Sequence, residues 1–333
     1  MDVLGIDSLK NKIKKTGVLL INLGTPDAPT KKAVREYLSE FLSDVRVIDK
    51  QTLLWKIILH GIILRVRPKR SAKLYQKIWR EDGISPLLYN SRKTAFKLDR
   101  ALGNDYSVKL GMRYGKPSIA TAVQSFAKES LSRIIILPLY PQYSATTSAS
   151  TLDAFYQALS TEIPSFNFIA SYANSDFYIK AISDSILQFQ AKQGKPEKLI
   201  FSFHGLPERY ISQGDPYYQQ CVETVEMISA KLGLSESEYC LTFQSRVGRE
   251  KWIEPYTDAT LKKLANEGVK SVQVICPGFS CDCLETLEEI DIQMRAFFLQ
   301  NGGELFAYIP ALNDSEVQVA LLKAVVLNEA GMS

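Results

Sequence analysis

The chain has 333 residues, 46% hydrophobic and 23% charged, the balance of a soluble globular protein long enough for two domains. With 40 basic against 36 acidic residues, both scattered, the net charge is only +4, which argues against a nucleic-acid binder. The 5 cysteines are odd in number, and MDVLGIDSLKNKIKK at the N-terminus lacks a signal-peptide core, so free thiols in a reducing cytoplasm are expected.

Thr16–Leu23 (TGVLLINL) is a continuous apolar run of the kind that suits a strand buried on both faces, and it stops at Gly24. Lys31–Leu42 has helical spacing, with Val34, Tyr37, Leu38 and Phe41 on one face. Leu53–Leu64 (LLWKIILHGIIL) is too short to span a bilayer, and Arg65, Arg67, Lys69 and Arg70 follow it. Such a stretch fits either a core or lid helix or a segment lying on an anionic membrane surface. Strands are then expected at Ser107–Met112, Arg133–Leu139, 167–170, Lys198–Phe203, Glu238–Phe243, Ser271–Cys276 and Leu305–Ile309. Helices are expected between them at Ser91–Leu102, 119–129, Leu152–Leu159, 179–190, Tyr217–Leu232, 258–266, Cys283–Leu299 and 315–327. Alternation of this kind predicts an α/β protein of two similar doubly wound domains, each a central parallel sheet flanked by helices. The expected boundaries are 1–174, including a lip at about 50–80, and 175–333, with the last helix packing back on the first domain. The cleft would lie between the two carboxyl edges.

Three loops that follow strands of the second half carry unusual residues. They are His204-Gly205-Leu206-Pro207 with Gly214-Asp215-Pro216, Gln244–Gly248 with Trp252, and Pro277–Glu285. His204, one of two histidines in the chain, and Glu285 would meet at one sheet edge. An imidazole opposite a carboxylate takes up protons near neutral pH or holds a divalent metal; the plainer alternatives are a turn histidine and a solvated glutamate. Glu285 and Glu289 share a helix face at i, i+4, so an acidic row could line a metal route. Cys276, Cys281 and Cys283 do not have a common zinc or cluster spacing and read better as buried, inert thiols.

With these stretches in hand, the sequence resembles the ferrochelatase family across nearly its whole length. The resemblance rests on LINLGTP (20–26), GMRY (111–114), LYPQYS (139–144), SFHGLP with GDPYY (202–218), QSRVG (244–248) and PGFSCDCLETLEEID (277–291). It implies a chelatase fold with a porphyrin-sized active-site cleft, and a lyase that inserts ferrous iron into protoporphyrin IX to make protohaem. His204 and Glu285 match the family's central pair, as proton acceptors and metal ligands. Leu23, Arg67, Tyr75, Arg113, Tyr114, Tyr140, Trp252 and Phe279 match porphyrin-binding positions, and Asp282, Cys283 and Glu289 a proton or metal path. Many members have histidine where this chain has Cys283, and a carboxylate can stand in others at Gln293.

The resemblance also implies no permanently bound cofactor. Members with an iron–sulfur cluster carry a cysteine where this chain has Ala145 and further ones near the C-terminus, and here no cysteine follows Cys283, so no cluster is expected. Protoporphyrin IX and ferrous iron would be substrates, with peripheral contact at the inner face of the membrane and no nucleic-acid partner. The alternatives are a chelatase for coproporphyrin III or sirohydrochlorin, and a non-catalytic haem-binding protein on the same fold.

Overall fold

In the first sheet, β1 (Lys15–Thr25) is buried along nearly all its length because parallel neighbours flank it on both sides. The computed structural model describes residues 15–49, 51–159, 164–248 and 250–331. The neighbours of β1 are β2 (Tyr106–Gly115) and β3 (Leu131–Pro138), and β4 (Phe166–Phe168) adds at the outer edge to give the order β2-β1-β3-β4. The second sheet has the same form: β5 (Lys198–His204), β6 (Tyr239–Gln244), β7 (Ser271–Ile275) and β8 (Leu305–Ile309) are ordered β6-β5-β7-β8. All pairings within both sheets are parallel. The loops that leave the strands therefore gather at one edge of each sheet.

A single apolar cluster joins the halves. It takes Val18, Leu20, Ile135 and Leu137 from the first sheet and Phe201, Phe203 and Ile275 from the second. Leu322, Val325 and Val326 of the closing helix Glu316–Glu329 belong to the same cluster, as do Ala95 and Leu98 of helix Pro86–Leu102. Arg133 Nη2 donates to the Ala330 carbonyl at 3.0 Å, and Asn167 Nδ2 to Glu329 at 3.1 Å.

Two regions depart from the helices expected from the pattern. The lip is a helix Leu53–Ile58, a π-helical turn Leu59–Ile63 and a second helix Leu64–Ile78. The long helix of the second half opens with ten π-helical residues, Glu285–Met294, before Arg295–Gln300. Wide turns of this kind are rare and frequently sit at functional sites.

At the carboxyl edge of the first sheet, the close approach of β1 to β2 needs glycine. Gly24 has φ of +107°, and a Cβ there would lie 1.7 Å from the Tyr114 carbonyl oxygen. Beside it Asp44, 8% exposed, collects a polar node. It accepts from the Arg46 N–H at 2.7 Å, from the hydroxyls of Tyr114 (2.7 Å) and Ser150, and from Arg113. Arg113 Nε also donates to Ser150 Oγ at 2.6 Å. Burial alone would push the Asp44 carboxyl up; the hydrogen bonds and the neighbouring guanidinium outweigh it and hold the group below its ordinary value.

A carboxyl depressed in this way adds stability that is complete above its unfolded value, about 3.9, and is lost as pH falls through the folded one. Asp44→Asn is therefore expected to cost about 2–3 kcal/mol near neutral pH, since it unpairs a buried charged donor. The gap to the unsubstituted protein, read by urea denaturation, should close as pH falls below about 4. A gap independent of pH would contradict the node.

Candidate active site

His204 is the last residue of β5, a central strand of the second sheet, and is half-buried. Its Nδ1 lies 2.7 Å from the Gly205 carbonyl oxygen. A carbonyl only accepts, so Nδ1 carries the hydrogen and Nε2 presents its lone pair. The turn that follows has no room for a side chain: a Cβ at Gly205 would lie 2.8 Å from the Gln244 carbonyl oxygen and 3.1 Å from the Trp252 ring. Trp252 donates from Nε1 to the Val247 carbonyl at 3.0 Å, and its ring centre stands 6.4 Å from that of His204.

After β7, residues 276–284 carry the chain to Glu285. Asp282, buried, shapes this loop. It accepts from Tyr308 (2.6 Å), Asn313 Nδ2 (2.6 Å), Thr286 (3.0 Å) and the Ala311 N–H (3.3 Å). Asn313, at φ +51°, reciprocates by accepting from the Asp282 N–H and from Asn90 of the first half. Both carboxylate oxygens of Asp282 are committed to the loop.

On the π-helical segment the four acidic residues divide. Glu288 is 1% exposed and pairs with Lys77 of the lip at 2.7 Å, with Gln293 Nε2 on its other oxygen. Asp291 pairs with Arg295. Glu289 accepts from the Ser245 N–H (2.8 Å) and hydroxyl (2.5 Å). Burial pushes its carboxyl up; the Ser245 bonds and His204 oppose this, the charge of Glu285 adds to it, and the net shift is upward. Glu285 also acts electrostatically on Tyr37, Tyr75, Arg67 and Cys283. The structure therefore groups His204, Glu289, Glu285, Cys283, Tyr75 and Arg67. Arg67, on the lip's second helix, is exposed to solvent.

The other expected contacts divide between surface and support. Leu23, Tyr140, Trp252 and Phe279 are half-buried, and Leu23 packs in the lip's apolar cluster with Leu284. Arg113 is half-buried, but its charge is taken up by Asp44. Tyr114 departs from the expectation of a cleft-lining ring. It is fully buried, with Phe41 at 5.1 Å and Tyr37 at 6.5 Å between ring centres, because its place in β2 turns it inward. Tyr75, on the lip's second helix, is 8% exposed.

Cys276, Cys281 and Cys283 are buried, and burial pushes their thiols up, Cys281 to about 12. Thiols in that state are poor metal ligands. No group of three or more His, Cys, Asp or Glu side chains is gathered for a metal among the described residues. Sequence patterning missed Gln244, Ser245, Lys77 and Asp44. QSRVG followed a strand and so marked a loop, but nothing in it showed which side chain turns inward.

The sequence profile of the ferrochelatase family matches residues 15–330. "Ferrochelatase 2" of Shewanella oneidensis is 50% identical over 94% of this chain and 97% of its own length. The "Ferrochelatase" of Yersinia pestis is also 50% identical, over 94% of this chain and 98% of its own. Among solved structures, "SirB from Bacillus subtilis with Fe3+" superposes with a TM-score of 0.54 at 11% identity, over 95% of this chain and 96% of that one. CbiX, described as the terminal enzyme for biosynthesis of siroheme in denitrifying bacteria, gives 0.51 at 13%, over 95% and 100%. These two show the shared chelatase fold. The chain belongs to the ferrochelatase family, lyases that insert iron into a porphyrin in haem biosynthesis.

Proposed function

We propose that this chain inserts ferrous iron into protoporphyrin IX, with His204 and Glu285 as the groups that receive pyrrole protons and offer ligand atoms to the entering metal. The observation that carries this reading is the gathering of the β5 imidazole and the π-helical carboxylates at one sheet edge. Insertion releases two protons from the macrocycle as the metal enters. With Nδ1–H committed to Gly205, Nε2 is the atom of His204 available for either role. Glu285, and behind it Glu289, supplies negative charge where the divalent cation arrives. Cys283 takes no proton in this scheme, since its thiol is held neutral by burial.

The lip supports protoporphyrin, the less charged candidate. Leu53, Leu54, Ile57, Ile62 and Val66 are 60–76% exposed, an apolar face around the entrance. Lys56, Arg65, Lys69 and Arg70 are exposed among them. No helix among the described residues is long and apolar enough to cross a membrane. A cytoplasmic protein that rests this lip on the anionic inner face would collect an apolar porphyrin there.

In an anaerobic assay with ferrous iron, turnover on protoporphyrin IX should exceed that on coproporphyrin III. His204→Ala should lower turnover by about a hundredfold or more while porphyrin still binds by fluorescence titration. Glu285→Gln should slow turnover far more than it weakens porphyrin binding. Wild-type-like turnover of His204→Ala, or a Glu285→Gln effect confined to porphyrin affinity, would overturn the assignment.

For the lip, Leu54→Ser/Ile57→Ser should cut co-sedimentation with phosphatidylglycerol-containing vesicles by about tenfold, given about 1.5–3 kcal/mol per large apolar side chain fully buried. Equal binding of both proteins would remove the membrane from the reading.

A further inference from the structure

We infer that Gln244 is a positioning residue for iron insertion, setting His204 and Glu285 relative to each other through two separate hydrogen bonds. The inference rests on the His204/Glu285 reading above. Gln244 ends β6 and stands in register with His204. Its carbonyl oxygen accepts from the Gly205 N–H at 2.8 Å, which fixes the turn immediately after the imidazole. Its side chain, from a residue 4% exposed, donates from Nε2 to the Glu285 carbonyl oxygen at 2.9 Å, where the π-helical segment begins. One residue therefore touches the chain at both members of the pair.

The amide is itself held in orientation. Oε1 accepts from Ser202 Oγ at 2.7 Å and from the Cys276 thiol at 3.5 Å. The Glu285 carbonyl only accepts, so the amide nitrogen faces it and Oε1 is left to accept from Ser202 and Cys276. Ser202 continues to Thr257 (2.9 Å), and Thr257 to Thr242 (3.0 Å), a buried hydroxyl chain running back into the sheet. The next residue, Ser245, at φ +67°, gives its N–H and hydroxyl to Glu289. The dipeptide thus ties the π-helical segment to the end of β6 at two positions four residues apart, the Glu285 carbonyl and the Glu289 carboxylate.

A reacting pair held 1 Å out of place can lose about a hundredfold in rate. Gln244→Leu keeps the bulk near that of glutamine and removes the donor. Turnover per folded molecule, measured well below the melting temperature, should fall about tenfold or more, with KM for porphyrin within about threefold. Ser202→Ala, which frees the amide but leaves it in place, should show a smaller loss of the same kind. Thr242→Ala is the structural control: it breaks the far end of the hydroxyl chain and should lower the melting temperature without changing turnover.

If Gln244→Leu matches the unsubstituted protein in turnover, or loses only stability as Thr242→Ala does, the positioning role is wrong. If His204→Ala and Glu285→Gln also keep full turnover, the pair itself is wrong, which separates the two failures.

Discussion

Charge held next to charge in a half-dry cleft is the condition that the rest of this structure serves. A carboxylate moved out of water is stable only if it is paired or hydrogen-bonded. The fold meets that demand selectively. Glu288 is satisfied by Lys77, Asp291 by Arg295, Asp282 by its loop, and Asp44 by Arg113 and two hydroxyls. Glu289 is only partly compensated, by Ser245, and its carboxyl is pushed up. Glu285 lies beside it, acting on Tyr75 and Arg67 of the lip. The π-helical carboxylates Glu285 and Glu289 are thus gathered near the β5 imidazole, an arrangement that suits an arriving cation and departing protons.

Two identically ordered parallel sheets explain why these groups come from distant stretches. Their strands end at the same kind of edge, so a histidine at residue 204, a serine at 245 and a glutamate at 285 are brought to one edge by two successive crossovers. The first half contributes the cover: the lip helix reaches the π-helical segment through Lys77, and Asn90 reaches the loop through Asn313. Shared apolar packing between the sheets holds the halves together. The fold is shared with SirB and CbiX at 11% and 13% identity, and a shared architecture does not by itself fix a function.

Much of this was legible in the residues. Apolar runs gave eight strands within a few positions of those observed, because a strand buried on both faces leaves a continuous signal. The family motifs pointed to His204 and Glu285. Four things were not legible. The π-helical turns share their apolar spacing with an α-helix, and contacts such as Lys77 with Glu288, over two hundred residues apart, lie outside any local pattern. Tyr114 sits in a motif of the cleft, yet the strand's alternation turns its ring into the core beneath Phe41. Asp44 carries no local signal, because its partners at 113, 114 and 150 meet it only in the folded chain.

The central claim is that a porphyrin is metallated between the β5 imidazole and the π-helical carboxylates. The crystal structure of the protein with metal-free protoporphyrin IX, grown without iron, tests it most directly. The account predicts the macrocycle under the lip, its central nitrogens within reach of His204 Nε2 and the Glu285 carboxylate. A porphyrin seated with its centre away from both side chains would contradict it.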